Sequence, residues 1–227
     1  MKTRFLVRVG KRAGLLIPLA LSLSPAATLA GDIRAVVRDG EGNGVADAVV
    51  VAAPAGAAAS SAATAPPPAV QDQRNKEFVP HVLPVAVGTS VHFPNNDNIR
   101  HHVYSFSPAK SFELPLYSGT PAAPVLFDKP GVVVVGCNIH DWMVGYIYVS
   151  ESSYFAKTGA DGAAVLGGLP AGEYSVRVWH PRLEGKEQAN AKTLTVPASG
   201  AIETSSSIKL APDFRPRRAP VPGRGGY

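Results

Sequence analysis

Between residues 70 and 151 the sequence is cut into short β-branched or aromatic runs, each closed by turn residues, and it holds no helical period. The runs at 81–87, 90–93, 102–106, 132–135 and 144–149 are punctuated by Gly88, Pro94-Asn95-Asn96 and Pro130-Gly131. Short strands at such spacing predict an all-β sandwich or barrel, and a segment of about 80 residues can enclose its own core.

The residues before this segment differ in kind. Residues 1–30 read as an export signal: Lys2, Arg4, Arg8, Lys11 and Arg12, then an apolar run through Leu15-Leu16-Ile17-Pro18-Leu19-Ala20-Leu21, then Ala26-Ala27-Thr28-Leu29-Ala30. That run is too short to span a bilayer, so no transmembrane segment is expected, and the expected location is the periplasm. The formal charge of +5 belongs to this leader. Of 22 basic and 17 acidic residues, five basic and no acidic ones lie in 1–30, which leaves 17 of each in the remainder. A neutral chain lacks the basic footprint of a nucleic-acid-binding protein.

Around the central segment lie four further pieces. Residues 31–54 read as an N-terminal β-hairpin, with the turn cluster Asp39-Gly40-Glu41-Gly42-Asn43-Gly44 between two apolar runs. Residues 55–69 are almost wholly Ala, Pro, Ser, Thr and Gly, the composition of a linker. Residues 152–212 alternate between turns and strands, with strands expected at 192–196 and 205–210, and form a small β module. Residues 213–227 are an Arg/Pro/Gly tail expected to be disordered.

The chemistry concentrates at the end of one apolar run. Cys137-Asn138-Ile139-His140-Asp141-Trp142-Met143 holds the only cysteine and, apart from Met1, the only methionine. Thiolate, imidazole and thioether are three of the four donors of a mononuclear type 1 copper site, which adds a second imidazole. His101 and His102, at the start of a β-like run, offer that imidazole, and a strand turns only one of two neighbours toward a given site. Zinc also takes Cys and His, but a thioether is a poor zinc ligand. A lone cysteine excludes an internal disulfide and a thiolate-bridged binuclear copper centre. His81, His92 and His180 have no ligand-spaced cluster around them and read as strand-face or solvated residues; Asp128, Asp141 and Glu113 read as turn or surface residues. No catalytic constellation is expected, so the chain is not read as an enzyme.

With these residues in view, 70–151 resembles a cupredoxin, and Cys137, His140 and Met143 have the short ligand spacing of amicyanin. Phe93-Pro94-Asn95-Asn96-Asp97, His101-His102-Val103, Phe127-Asp128 and Pro130-Gly131 are similar to proteins labelled plastocyanin-like or methylamine utilisation proteins. The resemblance implies a Greek-key cupredoxin β-sandwich with one type 1 copper per chain, acting as a single-electron carrier for redox partner proteins. By position it implies His101 and His140 as the imidazoles, Cys137 as the thiolate and Met143 as the axial thioether. His102 stands where the family commonly has Asn, and Asn138-Ile139 replaces a common Thr-Pro or Ser-Pro.

The flanks, 31–54 and 158–180, resemble parts of a carboxypeptidase-regulatory-like or transthyretin-like β-sandwich, chiefly through Asp161-Gly162 and Leu169-Pro170-Ala171-Gly172-Glu173-Tyr174. Two arrangements follow: the cupredoxin is inserted in one flanking module, or the hairpin packs directly on the cupredoxin. Two other functions use the same features: a copper-delivery or storage protein, and an envelope- or carbohydrate-binding accessory protein with a structural copper.

Overall fold

The computed structural model describes residues 30–56, 65–121 and 123–213, so the expected leader 1–29, the middle of the expected linker (57–64) and the tail from 214 lie outside the described residues. The described chain is all-β, with one short 3₁₀ turn at Glu187–Asn190. No helix among the described residues is long and apolar enough to cross a membrane.

The strands are β1 (Ala30–Arg38), β2 (Val49–Pro54), β3 (Ala69–Val70), β4 (Asp72–Arg74), β5 (Glu77–Val79), β6 (Val82–Ala86), β7 (Thr89–His92), β8 (His101–Ser107) and β9 (Lys110–Tyr117). They continue as β10 (Val125–Phe127), β11 (Gly131–Gly136), β12 (Val144–Ser150), β13 (Tyr154–Lys157), β14 (Ala163–Pro170), β15 (Gly172–Trp179), β16 (Lys192–Val196) and β17 (Ala201–Ser207). Ala69, at the end of the expected linker, already pairs with Val91 as part of β3.

Two β-sandwiches result. In the central one, the five-stranded sheet β6-β12-β11-β8-β9 faces the three-stranded sheet β10-β7-β3. Between them lie Phe78, Val91, Phe93, Val103, Phe127, Val133, Val135, Ile147 and Val149, together with Cys137 and Met143. In the flanking one, β14-β1-β17 faces β13-β2-β15-β16 around Ile33, Val37, Val50, Leu166, Leu169 and Val178.

Strand alternation explains how the two share a boundary. Along β2, Val50 and Ala52 enter the flanking core, while Val49 and Val51 point the other way and meet Val82 of β6 and Tyr148 of β12. Along β12, Ile147 and Val149 face the central core, and Tyr148 faces the flank with Tyr146 beside it. Trp179 closes this layer against Tyr146 and Tyr148, at ring-centroid distances of 6.0 and 5.3 Å. The continuous apolar run 49–53 is therefore a strand covered on both faces.

The hairpin expected over 31–54 is not formed. The chain does turn back after β1: Asp39 N donates to Asn43 O and Val45 N to Val37 O, both at 2.9 Å. It then leaves that sheet and crosses to the opposite one, where β2 lies between β13 and β15 while β1 lies between β14 and β17. The crossover is sealed by later residues. Thr158 Oγ1 donates to Val45 O (2.6 Å) and accepts from Ala48 N (2.9 Å). Gly162, at φ 79°, presses against Gly44 so closely that an added Cβ would lie 2.2 Å from Val37 O. The last strand also differs from expectation, at Ala201–Ser207 rather than 205–210.

Candidate metal centre

At one end of the central sandwich, β11 delivers Cys137 into a tight loop that returns as β12. The loop is closed by its own backbone: Met143 N donates to His140 O (2.9 Å) and Cys137 N to Met143 O (3.2 Å). Beside β11, β8 begins with His101. Cys137 is 3% exposed, Met143 1% and His101 0%, while His140 is half-buried.

The structure brings His101, Cys137 and His140 together. Cys137 Sγ lies 3.9 Å from Nδ1 of His101 and 3.9 Å from Nδ1 of His140. One ligand atom from each residue lies within 4.8 Å of the other two, and among the described residues this is the one such cluster of His, Cys, Asp and Glu. Donors about 2.0–2.3 Å from a shared ion sit at most about 4.3 Å from each other, so both sulfur–nitrogen separations suit a common metal. Met143 packs in the same buried cluster as Cys137.

His102 goes elsewhere. It is 7% exposed and stacks near Tyr104, with ring centroids 5.4 Å apart. Its Nε2 comes within 2.9 Å of Glu113 Oε1, at ion-pair distance but without the alignment of a hydrogen bond. Of the adjacent histidines, His101 alone belongs to the cluster. His180, read from sequence as solvated or on a strand face, is buried, and its Nδ1 accepts the N–H of Arg182 at 3.1 Å.

Sequence reasoning assigned no role to Asp97. Its Oδ2 lies 2.7 Å from His101 Nε2, while Asn75 N donates to Oδ1 (2.6 Å) and Lys76 N to Oδ2 (2.9 Å). Burial by itself would push this carboxyl up. The Lys76 N–H, the His101 ring and the Asn75 N–H outweigh it and hold Asp97 below its ordinary range. An ionised Asp97 accepts only, so His101 donates from Nε2, and Nδ1 is the ring nitrogen that faces Cys137. His140 is pushed below the ordinary histidine range, first by burial, then by the His101 ring and the Lys76 ammonium. The His140 ring therefore presents a neutral nitrogen near neutral pH. The Trp142 ring lies tilted against His140, with centroids 5.2 Å apart and its Nε1 without a hydrogen-bond partner, and Ile139, next to His140 in the chain, is 47% exposed.

No protein-family model matches the chain. No curated protein matches it. Among solved structures, the chain is similar to a purple cupredoxin from Nitrosopumilus maritimus, at 26% identity over 36% of this chain and 96% of that one, with TM-score 0.31. A copper-containing nitrite reductase from Thermus scotoductus SA-01 is 28% identical over 43% of this chain and 25% of that one, with TM-score 0.35. The reduced, Cu(I) form of an amicyanin mutant is 24% identical over 44% of this chain and 98% of that one, with TM-score 0.33.

Proposed function

We propose that this chain is an exported copper protein that holds one type 1 copper through His101, Cys137, His140 and Met143 and passes single electrons between protein partners. The observation that carries the reading is the convergence of the only thiol and two imidazoles in a largely buried pocket, each Sγ···Nδ1 separation being 3.9 Å. This donor set suits copper, which accepts thiolate, imidazole and a long thioether bond together. When bound, copper supplies a one-electron couple between Cu(I) and Cu(II).

The residues do the rest. His101 and Cys137 are set on or beside strands of one sheet, so the pocket keeps its shape when charge changes, and burial keeps water from the thiolate. Four protein donors leave no position for a substrate, which favours a carrier over an enzyme. Full burial of His101 favours retention of the ion over delivery. Half-buried His140, with Ile139 and Trp142 around it, offers partners a short route to the pocket.

The test is addition of Cu(II) to the purified protein, followed by visible absorption and electron paramagnetic resonance. An intense thiolate-to-copper charge-transfer band is expected, lost in Cys137→Ser and kept in His102→Ala. A wild-type protein that binds Cu(II) without a thiolate band overturns the reading.

A further inference from the structure

We infer that Asp97 is a positioning residue for the metal pocket: its carboxylate fixes which nitrogen of His101 faces Cys137, and its charge favours an oxidised ion over a reduced one. The second half rests on the copper reading above; the first does not.

Asp97 is held by the turn of a small hairpin whose strands also carry Phe78 into the central core. β4 and β5 form a two-stranded sheet of their own, joined by a two-residue turn at Asn75-Lys76. Both turn residues sit in the left-handed region, at φ 54° and 59°. A two-residue turn of this kind requires positive φ at both centres and ordinarily selects Asn or Asp followed by Gly. Lys76 occupies the position where Gly is expected, and backbone strain of this sort persists where the surroundings over-determine it. Here both turn N–H groups end on the two oxygens of Asp97.

The hairpin is in turn pinned to the segment carrying the carboxylate. Asn96 Nδ2 donates to both oxygens of Asp72 (2.9 and 2.8 Å), and Asn96 N donates to Gln73 O (3.0 Å). Asp97 N donates to Asn95 Oδ1 at 3.0 Å. The carboxylate is thus fixed before any metal is present, its remaining contact being Nε2 of a fully buried ring. A carboxylate behind a ligating imidazole sets the tautomer and raises the basicity of the ligand nitrogen. The added negative charge interacts more strongly with a doubly than a singly charged cation.

The experiment has a metal-free arm and a copper arm. Histidine-ring ¹⁵N spectra of the copper-free wild type should place the His101 proton on Nε2, and Asp97→Ala should mix the tautomers. Asp97→Asn, which keeps the shape and removes the charge, should weaken Cu(II) binding about 10–100-fold, with a smaller loss for Cu(I). Circular dichroism checks that both variants are folded, and the wild-type tautomer needs no variant. A proton on Nδ1 in the wild type overturns the positioning role. Equal losses, or none, for the two oxidation states in Asp97→Asn overturn the charge role. Absence of a thiolate–copper band in the wild type sinks the copper reading alone and leaves the tautomer result standing.

Discussion

His101 and His102 are neighbours in the chain and strangers in the fold. Strand geometry sends successive side chains to opposite faces, so one ring joins Cys137 and the other meets Tyr104 and Glu113. Tyr117, paired across from His101, shows what this end of the sandwich demands of a polar group. Its hydroxyl donates to Phe93 O at 2.6 Å and receives Gln73 Nε2. Burial pushes its phenol up from 10.0 to about 12. The unfolded phenol ionises near its ordinary value, so the folded state gains stability below about pH 10 and loses it as pH rises through about 12. Urea midpoints measured across that window should fall, and Tyr117→Phe should flatten part of the fall. Cys137, His140 and Met143 stood out because the pattern is rare: one Cys, one Met beyond the first residue, and a His between them. Asp97 was not, because its role depends on N–H groups 22 and 21 residues away on a turn whose strands are three residues each.

Strands with strong alternation were readable one by one, and their partners were not. β8, β11 and β12 lie within a residue or two of where apolar runs place them. β9 escaped notice because Lys110, Glu113 and Pro115 dilute its pattern; it is an edge strand, where Pro is tolerated. β1 and β2 looked like a hairpin because a turn cluster lies between them, yet nothing local in a sequence reveals that Thr158 and Gly162 will hold the crossover open. Gly162→Ala should show the cost. It forces a side chain into a left-handed backbone, about 1–2 kcal/mol by itself, and into contact with Val37 O. Denaturant unfolding followed at Trp179 should report a loss of at least about 2 kcal/mol in the flanking sandwich. The response to added Cu(II) should match that of the wild type.

At the scale of the molecule, the two sandwiches are interleaved in sequence and adjacent in space. Every pairing of β1 and β2 is with strands that follow residue 153, and every pairing of β3 through β12 is within that set. Of the two arrangements open from sequence, this is the pattern of a central sandwich inserted in the flanking one. The seam is apolar at Val49, Val51, Val82 and Trp179 and is tied by Tyr148 Oη donating to Glu187 Oε2 at 2.8 Å. A protease site placed between residues 57 and 64 gives a direct check. After cleavage, the N-terminal fragment should co-elute with the rest in size-exclusion chromatography under native conditions and separate only in denaturant. Release without denaturant would contradict the pairing.

The pairing of β1 with β17, in register from Asp32↔Ala201 to Arg38↔Ser207, also sets a timetable for folding. The first described strand cannot complete its sheet until nearly the last has been made, whereas the sheets of the central sandwich need nothing outside residues 69–150. Contacts of such long range close slowly, because the intervening chain must be gathered first. The metal pocket can therefore take shape while the flank is still open, and the outer sandwich acts as a latch that shuts behind a finished interior.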